Sequence, residues 1–154
     1  MYQPRTAGYS SQDPLKRWAL PDRVFFACGA CHILAHAFLE RYGPAGYDVL
    51  WIKPSPPHRI GNHIVIATAD WVFDFHGYSR RAAFFEHVWK RGRLLWPGWD
   101  AIVVPLPRAA LISEQRSRQF DGLHLREPTQ FLHDALPRAR AYLERFPAPA
   151  AIVM

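Results

Sequence analysis

Hydrophobic positions along the chain fall into short, well-separated groups whose spacing predicts the elements. Residues 1–13 are rich in Gly, Ser and Gln, show no apolar periodicity, and are expected to be loose. Trp18, Leu20, Val24, Phe25 and Phe26 give residues 15–26 enough apolar surface to pack. Leu34, Phe38 and Tyr42 then recur at i+4, with Ile33 and Ala37 beside them, which predicts a helix over Cys31–Tyr42 stopped by Gly43-Pro44. More than half of its circumference is apolar, so the helix is expected to be largely buried. Residues 47–52 read as a strand, and 53–59 (KPSPPHR) as a stiff loop unsuited to a sheet interior. Two β-rich runs, 62–67 and 71–75, flank a very short connection and predict a hairpin. A helix follows over 79–91, with Ser79 as N-cap and Gly92 as stop. Residues 96–100 read as a turn and 101–106 as a strand. Leu132, Leu136, Ala139 and Leu143 predict a helix within 128–145 that Pro137 kinks or splits. Small residues from Pro147 onward form a tail (147–154). With no repeat and no second unit, residues 1–154 are expected to be a single α+β domain.

Composition narrows the classes. Hydrophobic residues make up 49% of the 154, too many for a disordered chain, yet no apolar run approaches the length of a spanning helix, so no membrane partner is expected. Residues 1–23 are polar and broken by proline, with no signal-peptide core, which points to a cytoplasmic protein or to an effector delivered without a classical signal. The net charge of +6 favours acidic partners. Arg80, Arg81, Lys90, Arg91 and Arg93 flank one predicted helix, Arg116 and Arg118 follow, and Trp89, Trp96 and Trp99 are interleaved. A solvated basic helix face accounts for that pattern, so an acidic protein is a better expected partner than nucleic acid.

The residues that carry chemistry begin with Cys28 and Cys31, the only two cysteines. Cys31 opens the predicted helix, where free backbone N–H groups and the positive end of the dipole favour thiolate and can hold an oxyanion. Cys28, three residues earlier in a loop, lacks that setting; it is an accessory candidate able to form a disulfide or sulfenamide with Cys31. A nucleophilic cysteine needs a base, and the base needs an orienting group. The predicted hairpin offers both. With Thr68-Ala69 as a two-residue turn, His63 falls directly opposite Asp74, on the face that also carries Val65 and Val72. Ile64, Ile66, Trp71 and Phe73 make up the other, core-facing side. A buried carboxylate in the run Trp-Val-Phe-Asp-Phe needs a partner; His76, two residues on, is the alternative partner and second-choice base.

Ala27-Cys-Gly-Ala-Cys-His32 resembles the Cys-Gly-Ser/Ala-Cys-Trp/Tyr signature of papain-like peptidases, in which the second cysteine is the nucleophile on a central helix. The order Cys, His on a strand, Asp on the next strand is similar to the wider papain-like and transglutaminase-like superfamily. The match covers roughly residues 26–78. It implies a central N-terminal helix packed on a small antiparallel sheet, with Cys31 as nucleophile, His63 as base and Asp74 as orienting acid. It further implies a thiol-dependent acyl-transfer enzyme acting on a protein or peptide-like amide: a peptidase, amidase, glutamine deamidase or transglutaminase, with no cofactor. Phe25 stands where papain-like peptidases carry a glutamine oxyanion donor, and only 32 residues separate Cys31 from His63. The resemblance is therefore to compact bacterial members of the superfamily, with Asn62 as a candidate second donor.

Other readings share the same letters. A non-catalytic binding domain would use the Arg-rich surface for an acidic protein or nucleic acid. Cys-x-x-Cys-His is also the pattern of covalent haem attachment, although the only methionines are Met1 and Met154. Cys28, Cys31, His32 and His36 contain metal-binding residue types but lack the second spaced pair of a zinc finger.

Overall fold

The computed structural model describes residues 10–154. Most of the stretch expected to be loose, positions 1–9, lies outside the described residues. Asp13 accepts hydrogen bonds from the N–H groups of Leu15 and Lys16 and starts α1 (Pro14–Trp18). α2 (Asp22–Ala27) buries Phe25 and Phe26. After the bend at Cys28–Ala30, α3 (Cys31–Tyr42) runs over the predicted span, with eight consecutive positions buried from His32 to Leu39, and Gly43 closes it.

The strands are β1 (Asp48–Pro54), β2 (His63–Ala67), β3 (Trp71–Asp74), β4 (Gly77–Arg80) and β5 (Ala101–Pro105). They form one five-stranded antiparallel sheet in the order β4-β3-β2-β1-β5. The fold is therefore α+β. Contrary to the predicted loop, β1 continues through Lys53 and Pro54. Pairing with β2 ends at Ile52–His63, so Lys53 and Pro54 bond only to β5, and the missing N–H of proline costs no ladder bond on the β2 side.

The hairpin register also differs from the prediction. Ile66 pairs with Phe73 and Ala67 with Val72, so the two-residue turn is Ala69-Asp70 rather than Thr68-Ala69. The Thr68 hydroxyl accepts from the N–H groups of Asp70 and Trp71, which stabilises this turn. A further strand, β4, occupies residues read from sequence as the start of a helix. Ser79 is in that strand, paired with Val72, and does not cap α4 (Arg81–Leu95).

Gly92 does not end α4. It lies inside the helix because Trp99 packs on it: a Cβ there would come within 2.4 Å of the indole. A 3-10 turn (Arg108–Ile112) leads to α5 (Glu114–Ser117), and a second one spans Pro128–Gln130. The final helix, α6 (Ala135–Leu143), starts at an Asp134 cap, so Pro137 sits in its first turn and breaks nothing. Residues Pro149–Ala151 add one 3-10 turn.

Both faces of the sheet are covered. Val49, Trp51, Ile64, Ile66, Trp71 and Phe73 pack against α3, with α2 and α6 behind it. Leu50, Ile52, Val65, Ala67 and Val72 pack against Phe84 and Val88 of α4 and against Trp99. Among the described residues, no helix is long and apolar enough to cross a membrane.

Candidate active site

Cys31 is the first residue of α3, at the floor of a cleft of about 580 Å³. Gly29, with φ +102°, lets the chain turn from α2 into α3. It also lets the Arg17 guanidinium lie against the turn, since a Cβ would come within 2.8 Å of Arg17 Nη1. Ala30 precedes the helix and supplies no side-chain cap, so the first-turn N–H groups of α3 keep no side-chain acceptor. The Ile33 and Leu34 N–H groups turn back to the Ala30 carbonyl, which leaves those of Cys31 and His32 for an oxyanion forming beside the sulfur.

His63 opens β2 and Asp74 closes β3. His63 Nε2 lies 2.9 Å from Asp74 Oδ2, and both side chains are buried. Asp74 Oδ1 accepts from the backbone N–H of His76 at 2.8 Å, so both carboxylate oxygens are held. With Nε2 committed to Asp74, Nδ1 is the nitrogen left to serve Cys31, which lines the same cleft. The sequence-predicted trio is thereby brought to one place: Cys31 and His63 line one cleft, and His63 is bonded to Asp74.

Its electrostatics favour separated charge. Burial pushes the Cys31 thiol up, but the neighbouring His32 and His63 outweigh burial and bring it down to about 5. Burial pushes His63 down, while the neighbouring Asp74 and Cys31 bring it up to about 9. Between those values the pair is thiolate and imidazolium. Cys28 behaves in the opposite way. It caps the end of α2 and lines the same cleft, but burial and the neighbouring Cys31 charge push it up to about 11, so it stays a thiol at neutral pH.

The remaining candidates lie elsewhere. Asn62 lines the cleft, but its amide is tied at both ends, accepting from Trp51 Nε1 at 3.0 Å and donating to the Arg59 carbonyl at 2.9 Å. It fixes the β1–β2 loop. His76 is exposed, and its Nδ1 accepts from Arg23 at 2.7 Å, away from the sulfur. Phe25 is wholly buried in the core. His36, buried one turn along α3, has its Nε2 4.0 Å from Glu40, and burial lowers its pKa. Among the described residues, no group of three or more His, Cys, Asp or Glu is arranged to hold a metal ion.

Sequence reasoning missed His32 as a partner of the cysteine. Its Nε2 donates to the Arg126 carbonyl at 2.7 Å, its Nδ1 is buried without a hydrogen-bond partner, and the residue helps bring the Cys31 thiol down. The acceptor lies 94 residues away in sequence, so no local signal marks the role. That bond also anchors the segment 122–126 as one wall of the cleft. No family model matches the chain, and no curated protein or solved structure matches it.

Proposed function

We propose that this protein is a thiol-dependent acyl-transfer enzyme acting on an amide of a protein or peptide, in the manner of the papain-like and transglutaminase-like enzymes its motif resembles. The observation that carries the reading is the His63 imidazole held by a buried carboxylate at 2.9 Å in the same cleft as a thiol at a helix start. In this reading the Cys31 thiolate attacks the carbonyl carbon, and the first-turn N–H groups of α3 take the developing negative charge on oxygen. As the C–N bond breaks, His63 Nδ1 gives its proton to the leaving amine, and a thioester to Cys31 remains. Water or an amine then attacks the thioester while His63 accepts its proton, which yields hydrolysis or transfer and restores the thiolate. Asp74 keeps the proton of His63 on Nε2 when the ring is neutral and stabilises the imidazolium when it is charged.

The test is site-mapped alkylation. Limiting iodoacetamide at neutral pH is expected to label Cys31 fast and Cys28 slowly, and His63→Ala is expected to abolish the fast phase. Slow labelling of Cys31, unchanged in His63→Ala, would leave the chain a binding domain with an inert thiol.

A further inference from the structure

The cleft has a charge imbalance that the triad does not use. Arg17, Arg59 and Arg126 line it, and among the described residues no Asp or Glu does. Among the described residues the side chains of Arg59 and Arg126 make no hydrogen bond or ion pair, so no carboxylate of the chain neutralises either charge. These two charges do not serve the nucleophile either, since the groups that hold Cys31 as thiolate are His32 and His63.

The two arginines come from different walls. Arg59 stands on the β1–β2 loop, which is fixed by Trp51 and Asn62 and by the bond from Trp99 Nε1 to the Ile60 carbonyl at 2.9 Å. Arg126 stands on the segment whose own carbonyl is bound by His32. Both are thus carried on anchored backbone with free guanidinium groups. Arg17 adds a third positive charge from the α1 side, held against Gly29 and bonded to the Ser11 carbonyl. Trp51, Ile64 and Phe75 add apolar surface to the same lining. A cleft with low-dielectric walls and one sign of charge concentrates ligands of the other sign, and guanidinium groups match carboxylates in shape.

Resting on the acyl-transfer reading, we propose that the cleft selects acidic peptide substrates, with Arg59 and Arg126 binding a carboxylate close to the amide that Cys31 attacks. The preference is a property of the cleft and is separate from the basic face of α4.

The experiment compares two probes of equal intrinsic reactivity, iodoacetylglycine (anionic) and iodoacetylglycinamide (neutral). Each alkylates by thiolate displacement of iodide, forming an S–C bond as the C–I bond breaks. For Cys31 the anionic probe is expected to react about tenfold faster than the neutral one, a ratio not seen with 2-mercaptoethanol. The ratio should fall towards that of 2-mercaptoethanol at high salt, and also in the Arg59→Gln/Arg126→Gln double variant, whose fold is checked by near-UV circular dichroism. Fast labelling of Cys31 with a ratio like that of 2-mercaptoethanol overturns the acidic-substrate proposal and leaves the acyl-transfer reading standing. Absence of fast labelling by either probe overturns both. A ratio that survives in the folded double variant overturns the assignment to these arginines.

Discussion

His63 and Asp74 are joined across a diagonal of the sheet. In the observed register Asp74 falls opposite Val65, two residues along β2 from His63, yet Nε2 and Oδ2 are 2.9 Å apart. Strand side chains alternate faces, so a slip of two residues keeps both groups on one side, and an imidazole spans the diagonal that a shorter side chain would not. The second carboxylate oxygen is occupied by the His76 N–H, which aims the first at the ring.

Asp74→Asn tests that geometry. An amide that accepts from the His76 N–H must present its NH2 to His63, which forces the ring proton onto Nδ1, the nitrogen needed by Cys31. Turnover is expected to fall about a hundredfold to ten-thousandfold. The loss of a buried charged hydrogen bond should lower stability by about 1–3 kcal/mol in urea unfolding. A normal rate of Cys31 alkylation in this variant would contradict the assigned tautomer.

The pH dependence follows from the shifted pair. Alkylation of Cys31 should rise as pH passes about 5, hold a plateau, and change again near 9, whereas an ordinary thiol would first rise near 9. Folding stability carries the same signature. His63, raised from 6.5, contributes fully below 6.5 and loses that contribution as pH rises through about 9. Cys31, lowered from 9.0, contributes fully above 9.0 and loses that contribution as pH falls through about 5. The difference in urea midpoint between native protein and Cys31→Ser should shrink as pH falls through about 5.

His32→Phe keeps a planar ring but removes both nitrogens. The Arg126 carbonyl loses its 2.7 Å partner, and stability should drop by about 1 kcal/mol. The Cys31 alkylation profile should move to higher pH because one of its two stabilising histidines is gone. An unmoved profile would mean that His32 serves only to anchor the 122–126 wall.

Gly92→Ala has a sign that separates propensity from packing. In an exposed helix the change stabilises by about 1 kcal/mol. Here the new methyl meets the ring of buried Trp99, so a net loss of about 1–3 kcal/mol is expected in thermal or urea unfolding. A gain in stability would show that the indole can shift freely.

The legible parts of the fold were those with a short-range cause. α3 announces itself through Leu34, Phe38 and Tyr42 and the Gly43-Pro44 stop, and the shared face of His63 and Asp74 survives an error of two residues because the strand period is two. The illegible parts depend on distant partners. Ser79 looks like a cap until Val72 pairs with it, and Gly92 looks like a stop until Trp99 is seen against it. Residues 107–125 carry no strong periodicity and fold into short turns held by bonds such as that from the Leu125 N–H to Ser117 Oγ. The positive cleft could not be read from sequence, since Arg17, Arg59 and Arg126 meet only in three dimensions.

The last helix fastens both arms of the candidate site. Arg138 donates to the Trp18 and Leu20 carbonyls and to Asp22, which braces the segment leading to Cys31. One turn further on, Tyr142 donates to the Phe75 carbonyl at 2.7 Å, next to Asp74. α6 leaves the ribosome after every residue it braces. While the chain is being made, the segments that carry Cys31 and Asp74 therefore lack the one clasp that α6 gives to both.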